Sequence, residues 1–571
     1  MGSLTKLLPE CLGLLLVIPI LISLAYLWPQ VARNRSRTAL SLALVALLGM
    51  IHQAMFRTRA EDAFITFRYA LNLATGKGVV FNPGEHVEGY SNFLFLVVLA
   101  GLKRYFDIDI ELAARALGVA ASSVTVLLTY HLARKLMRGD GHAGLLAALL
   151  VASSGSFAAW GPSGMETAIF ILLEVLIVLG VVSERWLWTG LLTGLATMTR
   201  PDGVLFILLV ALYAALVQDS MRQRLKTCLL VVGPFFALIL PWTAWRIHYY
   251  GYLVPNALQA KRGMEPLYQI KLGVIYLATF AMANAPVLWL AGILFSSVPG
   301  KRTSRRVVSY PKAVLSLGVF LLAFVLYVVL VGGDWMPAWR FFAPIVPLAA
   351  VLLVTLWSVE APEGTLATGE MPCIKSFAIA SGLLFVMSFL CNGLIPGVKA
   401  WRGSADGLAE IGDWFHRTLP PDTLVAAFPN GALSYRSQLP IVDVLGLTDE
   451  HIARFGKRLG KGDPGHIAYD YAYVVARRPA IIALLDGQGL RPEPEGLDAI
   501  VGYLRGRGLE VGDSPGPDQL KSCYEAVSFR FPASKNSLGQ YVNLLVLRSE
   551  RQRIAGFLAN DPGVRPVPVG P

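Results

Sequence analysis

Twelve apolar runs, most of them about as long as a helix that crosses a bilayer, constrain this chain more than any motif does. Roughly 30 Å of hydrocarbon calls for about 20 apolar residues in helical form. In lipid the backbone must satisfy its own hydrogen bonds, which a helix does within one segment. The runs lie at 11 to 28, 39 to 56, 112 to 133, 143 to 160, 166 to 183, 186 to 199, 203 to 218, 227 to 247, 270 to 296, 313 to 331, 342 to 358 and 375 to 396. The first has neither a basic leading stretch nor an A-x-A-like site, so it reads as a retained helix and not a cleaved signal peptide. The expected class is a polytopic α-helical membrane protein.

Charge fixes the orientation. Of 571 residues 55% are hydrophobic and 15% charged, and 50 Lys+Arg against 38 Asp+Glu leave +12. On a soluble chain that surplus would point to nucleic acid. Here it sits in short loops: Arg33, Arg35 and Arg37; Arg134, Lys135 and Arg138; Arg222, Arg224 and Lys226; Lys301, Arg302, Arg305, Arg306 and Lys312. The positive-inside bias makes these loops cytoplasmic and removes the case for nucleic acid. Alternation then requires that 92 to 104 (NFLFLVVLAGLKR) not cross, and it is short enough to be an interfacial or re-entrant helix. The loop 359 to 374, with Glu360, Glu363 and Glu370, also falls on the cytoplasmic side, because acidic residues weigh little in orientation. The polar loops 57 to 111, 163 to 167, 199 to 203, 249 to 262 and 332 to 342 fall on the other side, together with 397 to 571.

From 397 onward the apolar runs shorten to strand length and charge returns. TLVAAF, PIVDVL, AIIALL, YEAVSFRF and YVNLLVLRS read as strands, and 405 to 417 and 467 to 477 as helices, giving a mixed α/β extracytoplasmic domain. The tail DPGVRPVPVGP is expected to be disordered. The domains expected are a transmembrane part, 1 to 396, carrying the external loop 57 to 111, and a cap domain, 397 to 571. Five cysteines, at 11, 228, 373, 391 and 523, offer no C-x-x-C spacing, so no structural disulfide and no zinc site is expected. The G-x-x-x-x-G-K-[ST] pattern of a P-loop does not occur.

The external loops carry the chemistry. AEDAFITFRYALNLATGKGVVFNPGEHVEGYSN (60 to 92) sets Glu61 beside Asp62 and adds Phe64, Phe67, Tyr69, Phe81 and Tyr90. The remaining loops contribute Glu166, Arg200, Asp202, Lys261, Asp334, Trp335, Trp339 and Arg340. Carboxylates, aromatic rings and three separate cations suit a carbohydrate together with a phosphate.

These segments resemble a known family. EDAFITFRYALNLATGKGVVFNPGEHVEGYSNFLF is similar to the first external loop of membrane glycosyltransferases of the GT-C class. SGMET, TRPDG, YYGYLVPNALQAK, GGDWMPAWRF and VDVLGLTDEHIAR resemble, in the same order, further landmarks of the group containing the mycobacterial terminal arabinofuranosyltransferase, so the likeness spans about 57 to 454. It implies a GT-C membrane core of about 12 spans, an external cap domain, and a donor made of one sugar, arabinofuranose, on a polyprenyl monophosphate. The acceptor would be a cell-envelope glycan at the outer face of the plasma membrane. The family pattern begins Asp-Asp, whereas this chain has Glu61-Asp62. The general-base role therefore carries to Asp62, with Glu61 a neighbour whose like charge would raise the Asp62 pKa. Arg340 is the first choice for the donor phosphate because a guanidinium binds phosphate oxygens in pairs, with Lys261 and Arg200 behind it. Glu166, Asp202, Tyr90, Asp334 and Trp335 line the substrate in this reading. A monophosphate needs no obligatory metal, and a divalent cation held by Asp62, Glu166 or Asp334 is the alternative.

Each residue has a plainer reading. Asp202 in TRPDG suits a helix cap, and Glu166 suits a helix N-terminus. Lys261 and Arg262 suit lipid headgroups, and Trp335 and Trp339 an interfacial aromatic belt. His52 reads as helix packing and Asp443 as structural. Asn34-Arg-Ser matches a glycosylation acceptor but falls on the cytoplasmic side. A flippase would need polar residues deep in the spans, and the spans are read as carrying almost none. A hexose donor and a non-catalytic binding protein stay open as alternatives.

Overall fold

A computed structural model describes residues 4–31, 34–137, 139–296, 311–360, 371–463, 465, 467–485, 493–494, 496–498, 500, 517–531 and 541–569. Arg33, Arg138, Lys301, Arg302, Arg305, Arg306, Glu363 and Glu370 lie outside the described residues.

The chain folds into two compact units. The first comprises Met1–Thr58, Ala114–Trp242 and Gln269–Val398, and the second Arg59–Ala113, Thr243–Tyr268 and Lys399–Pro571. This differs from a division at 396/397, because Arg59–Ala113 and Thr243–Tyr268 join the C-terminal residues. Buried main-chain groups are the reason. Arg68, fully buried on the helix Ala63–Ala74, donates to the carbonyls of Ser434 (2.8 Å), Leu439 (2.7 Å) and Phe81 (2.8 Å). Carbonyls buried without such donors would carry a desolvation penalty.

The apolar runs are helical, as their composition requires. Five helices are each long and apolar enough to cross a membrane: Arg35–Phe56, Ile110–Leu136, Met221–Tyr250, Pro266–Ala283 and Lys312–Leu330. Two bent pairs would bring the number to 7 among the described residues. The run 143 to 160 is one of these pairs: it breaks at Ser154, whose backbone is extended (φ −77, ψ 119), and the axis turns by 66°. A Cβ on the next residue, Gly155, would lie 2.6 Å from the Ser388 hydroxyl, so the bend depends on close approach to the helix Met371–Leu390. The run 270 to 296 also divides, into Pro266–Ala283 and Ala285–Ser296. His52 lies fully buried, its Nδ1 donating to the Ala152 carbonyl (3.1 Å) and its Nε2 lying 3.0 Å from the Ser388 hydroxyl, a packing role.

Among the described residues the second unit holds eight short strands: β1 (Val425–Phe428), β2 (Ile441–Asp443), β3 (Lys457–Arg458), β4 (Ala468–Tyr469), β5 (Ile481–Leu484), β6 (Tyr524–Arg530), β7 (Tyr541–Leu547) and β8 (Arg565–Val567). Six form one sheet in the order β2-β1-β5-β7-β6-β8, and β3 and β4 pair separately. β1 runs parallel to β2 and β5, and the β7, β6 and β8 side is antiparallel. Parallel strands are covered on both faces, which explains the unbroken apolar runs VAAF and IIAL. The edge strand β2 is closed by a side chain: Asn82 donates to the Ile441 carbonyl (2.7 Å) and accepts from its N–H (3.1 Å), acting as an extra peptide group.

Two expectations for this region change. The tail is ordered over Arg565–Val567, which pairs with β6 at Ser528, Phe529 and Arg530, so its backbone is satisfied by a sheet edge and not by solvent. The helix expected over 467 to 477 is confined to Tyr471–Ala476, because Asp470 caps it by accepting from the Tyr473 N–H (2.9 Å) and the preceding residues pair with β3. The stretch 92 to 104 is the helix Phe93–Phe106, whose 14 residues span about 21 Å at 1.5 Å each, well short of a bilayer core.

Candidate active site

The acidic step belongs to the second unit. Arg59 sets the chain leading into it by gripping Glu111 with two hydrogen bonds (2.7 and 2.8 Å) and Asp406 with a third (2.7 Å). Glu61 is then buried, 4% exposed, and its Oε1 accepts from the Ala432 N–H at 3.0 Å. Only a glycine fits opposite: a Cβ on Gly431 would lie 2.4 Å from the Glu61 carbonyl oxygen and 2.8 Å from Oε1. Burial first, and then the charge of Asp62, pushes the Glu61 carboxyl up to about 8, although the Ala432 and Gly431 N–H groups oppose the shift. Asp62 itself is half-buried, adopts helical angles, and does not cap the helix Ala63–Ala74. The adjacency thus raises the deeper acid, Glu61, and leaves the more accessible one at the surface. Asp443, also buried, accepts from the N–H groups of Leu445 (3.0 Å) and Thr448 (2.8 Å), while burial lifts its carboxyl to about 6 and its charge adds to the shift of Glu61.

The rest of the loop 57 to 111 is fixed just as firmly. Glu88 takes two 2.6 Å hydrogen bonds from Arg246. Tyr90 is buried with its hydroxyl 3.2 Å from that of Tyr250, which in turn donates to the Val79 carbonyl (2.8 Å). Asn256 of YLVPNALQAK donates to the carbonyls of Gly446 (2.9 Å) and Asp449 (3.1 Å), tying two of the sequence motifs together. Lys261 follows the helix Asn256–Ala260 and is exposed, its aliphatic stem beside Gly465.

The arginines belong to the first unit. Arg200 is buried and clamps Asp202 with two hydrogen bonds, from Nε (3.0 Å) and Nη2 (2.7 Å). Burial opposes its charge, but Asp202, Glu166 and Tyr327 outweigh burial and hold the guanidinium charged. Arg340 approaches Asp334 with Nε to Oδ2 at 2.7 Å, yet neither atom makes an aligned hydrogen bond, so the contact is an ion pair without directional support. Its Nη1 points at the Met165 sulfur at 3.7 Å. Phe341 brings the two cations together: Arg200 lies 5.2 Å and Arg340 5.1 Å from its ring centre. The backbone before Arg340 is strained, with Ala338 (φ 59) and Trp339 (φ 47) both left-handed. Hydrogen bonds hold it there, from Ala338 N–H to Gly393 O (2.7 Å), from Trp160 Nε1 to Ala338 O (3.2 Å), and from Trp339 Nε1 to the Thr279 hydroxyl (3.0 Å). Trp339 is therefore a buried strut. Trp335 is half-buried. Among the described residues no group of three or more His, Cys, Asp or Glu is arranged to hold a metal ion.

Among the residues chosen from sequence, the structure gathers Arg200, Asp202, Glu166, Asp334 and Arg340 in one unit and Glu61, Asp62, Tyr90 and Lys261 in the other. Sequence reasoning missed Phe341, which joins the arginines, and Gly431, which admits Glu61. It also missed Glu174, fully buried within the helix Thr167–Val182. A lone acid in the run TAIFILLEVLIVLGVV was a visible signal.

Residues 97–245 match a family model described as dolichyl-phosphate-mannose-protein mannosyltransferase, and residues 399–545 match a domain of unknown function. ArnT from Cupriavidus metallidurans bound to undecaprenyl phosphate aligns with a TM-score of 0.52 at 11% identity, over 90% of this chain and 99% of that one. A structure of the Archaeoglobus fulgidus oligosaccharyltransferase aligns at 0.51 and 12% identity, over 88% and 72%. This chain has the GT-C fold. It resembles the terminal beta-(1->2)-arabinofuranosyltransferases, as the sequence motifs implied. The Corynebacterium glutamicum protein of that name is 29% identical over 338 residues, 52% of this chain and 47% of that protein. Its Mycobacterium tuberculosis counterpart is 27% identical over 421 residues, 66% of this chain and 63% of that protein. The chain thus spans about half to just under two thirds of these relatives.

Proposed function

We propose that this GT-C protein is a glycosyltransferase that moves one arabinofuranose residue from a polyprenyl-monophosphate donor to a cell-envelope glycan. In this reading it crosses the plasma membrane about 12 times, with the acidic step, the arginine loops and the C-terminal domain on the extracytoplasmic face. The observation that carries the reading is the arginine pair around Phe341. Two buried guanidiniums, one of them held by an unaligned ion pair that a phosphate can replace, suit a phosphate ester whose charge grows as it leaves.

The step needs few parts. Asp62 takes the proton from the acceptor hydroxyl, the oxygen forms a bond to the anomeric carbon, and the bond from that carbon to the phosphate oxygen breaks. The electron pair departs with the polyprenyl phosphate, whose added negative charge Arg340 and Arg200 stabilise with Lys261 assisting. Asp62 suits the base role better than Glu61 because it is half-buried and therefore accessible, whereas Glu61 is enclosed by Gly431 and spent on the Ala432 N–H. No obligatory metal enters the scheme. Glu166, Asp202, Asp334, Tyr90 and Trp335 shape the surroundings.

One alternative has an observation behind it. The mannosyltransferase model covers residues 97–245, so a hexose donor is the second reading. Mass spectrometry of products formed by the purified protein from a panel of polyprenyl phosphosugars separates the two. Addition of one pentose to the acceptor is expected; addition of a hexose alone would replace the donor assignment, and intact donor throughout would sink the enzyme reading in favour of a binding or flipping protein.

A further inference from the structure

Glu174 is the single ionisable residue of the helix Thr167–Val182. It has no solvent exposure, and neither carboxyl oxygen has a hydrogen-bond partner. A group that serves only packing in such a helix would be replaced by leucine, whereas polar groups kept inside membrane helices mark function. The position on the helix says what it faces. Glu166, Phe170 and Glu174 recur every four residues and form one stripe. Phe170 lies 4.9 Å from the Arg200 guanidinium carbon, and both Glu166 and Glu174 interact electrostatically with Arg200. The stripe therefore faces that guanidinium, with Glu174 roughly 6 Å further along the helix than Phe170.

Arg200 shows the matching gap. Its Nε and Nη2 are spent on Asp202, while Nη1 is buried without a hydrogen-bond partner. A donor lacking an acceptor and an acceptor lacking a donor thus occur in one electrostatic neighbourhood. Asp202 can hold Arg200 by itself only while no competing anion shares the guanidinium. A phosphate that draws on the Asp202 edge leaves the arginine needing a second anchor from behind.

We propose that Glu174 is that anchor, a positioning residue that takes up Nη1 of Arg200 when the donor phosphate binds and keeps the guanidinium turned toward it. Glu174 acts through Arg200 and does not touch substrate. The inference rests on the reading that Arg200 helps bind the donor phosphate.

Steady-state kinetics of the full-length protein with polyprenyl-phosphoarabinose, with donor concentration varied, test it. Glu174→Leu should raise the donor KM about tenfold and change kcat less than about twofold, whereas Glu174→Gln, which keeps a hydrogen-bond acceptor, should stay within about threefold of wild type in both. Combined with Arg200→Gln, Glu174→Leu should add no further loss, because its effect passes through the missing arginine. An unchanged donor KM in Glu174→Leu, or losses that multiply in the double variant, would overturn the proposal. So would a Glu174→Leu protein that fails to accumulate folded while Glu174→Gln does, since the role would then be structural. An unchanged donor KM in Arg200→Gln would instead remove the phosphate role of Arg200, and this inference with it.

Discussion

Replacing Glu61 with Gln should weaken a pH dependence of stability that the wild-type protein shows between roughly pH 5 and pH 8, most clearly above pH 6. In the folded chain the Glu61 carboxyl is pushed from 4.5 up to about 8, by burial first and then by the Asp62 charge. Over that window the folded state keeps a proton that an ordinary glutamate in the unfolded chain has lost. The contribution to stability is thus fully present below about pH 4.5 and is lost as pH rises through about 8. Linkage sets the slope at up to about 1.4 kcal/mol per pH unit, so three units remove about 4 kcal/mol, a large share of a typical 5–15 kcal/mol. Asp443 adds a second decline, complete by about pH 6, because burial raises its carboxyl to about 6. Above about pH 6 Asp443 no longer adds to the fall, and Glu61 does. The measurement is the thermal midpoint of detergent-purified protein followed by tryptophan fluorescence across this range at fixed ionic strength. Wild type should lose stability steadily from about pH 6 to 8, and Glu61→Gln should lose markedly less there. Asp62→Asn should move the fall to lower pH, since it removes the second cause of the shift. Equal slopes for wild type and Glu61→Gln above pH 6 would refute the reasoning.

Asp62→Asn should leave donor binding intact and lower turnover at least about a hundredfold, because an amide cannot take the hydroxyl proton, while Glu61→Gln should lose less; the opposite ranking in turnover assays would move the base to Glu61. Arg340→Lys keeps the charge but loses the planar fork, so equilibrium binding of donor should weaken by about 1–3 kcal/mol. Activity should survive EDTA, and its abolition with rescue by Mg²⁺ or Mn²⁺ would transfer phosphate binding to a metal. Gly431→Ala places a methyl group 2.4 Å from the Glu61 carbonyl oxygen, and should destabilise by about 1–3 kcal/mol in the same thermal assay.

The sequence carried the element types well because they rest on local physics. An apolar run of membrane length has no satisfied state except helix, and VAAF or IIAL between polar segments has few except a buried strand. Residue chemistry was legible for the same reason: Asp62, Arg200 and Arg340 stand out in short polar loops because the adjoining apolar runs carry little charge. Pairing was not legible. Asp202 reads from sequence as a helix cap, yet its carboxylate takes both bonds from Arg200, the residue two before it. Arg200 and Arg340 share the ring of Phe341, 5.2 and 5.1 Å from its centre, a pairing that no sequence spacing announces. The tail 561 to 571 looks disordered by composition, yet three of its residues complete a sheet edge supplied by β6.

The sequence by itself determined a helical membrane protein with a mixed α/β domain, an acidic pair and three candidate cations, since hydrophobic period, run length and residue type are properties of segments. Only the tertiary structure decided that Glu61 is the buried member of that pair and Asp62 the accessible one. Depth depends on what lies opposite, and here that is the bare backbone of Gly431 and the N–H of Ala432, the latter 371 residues further along the chain.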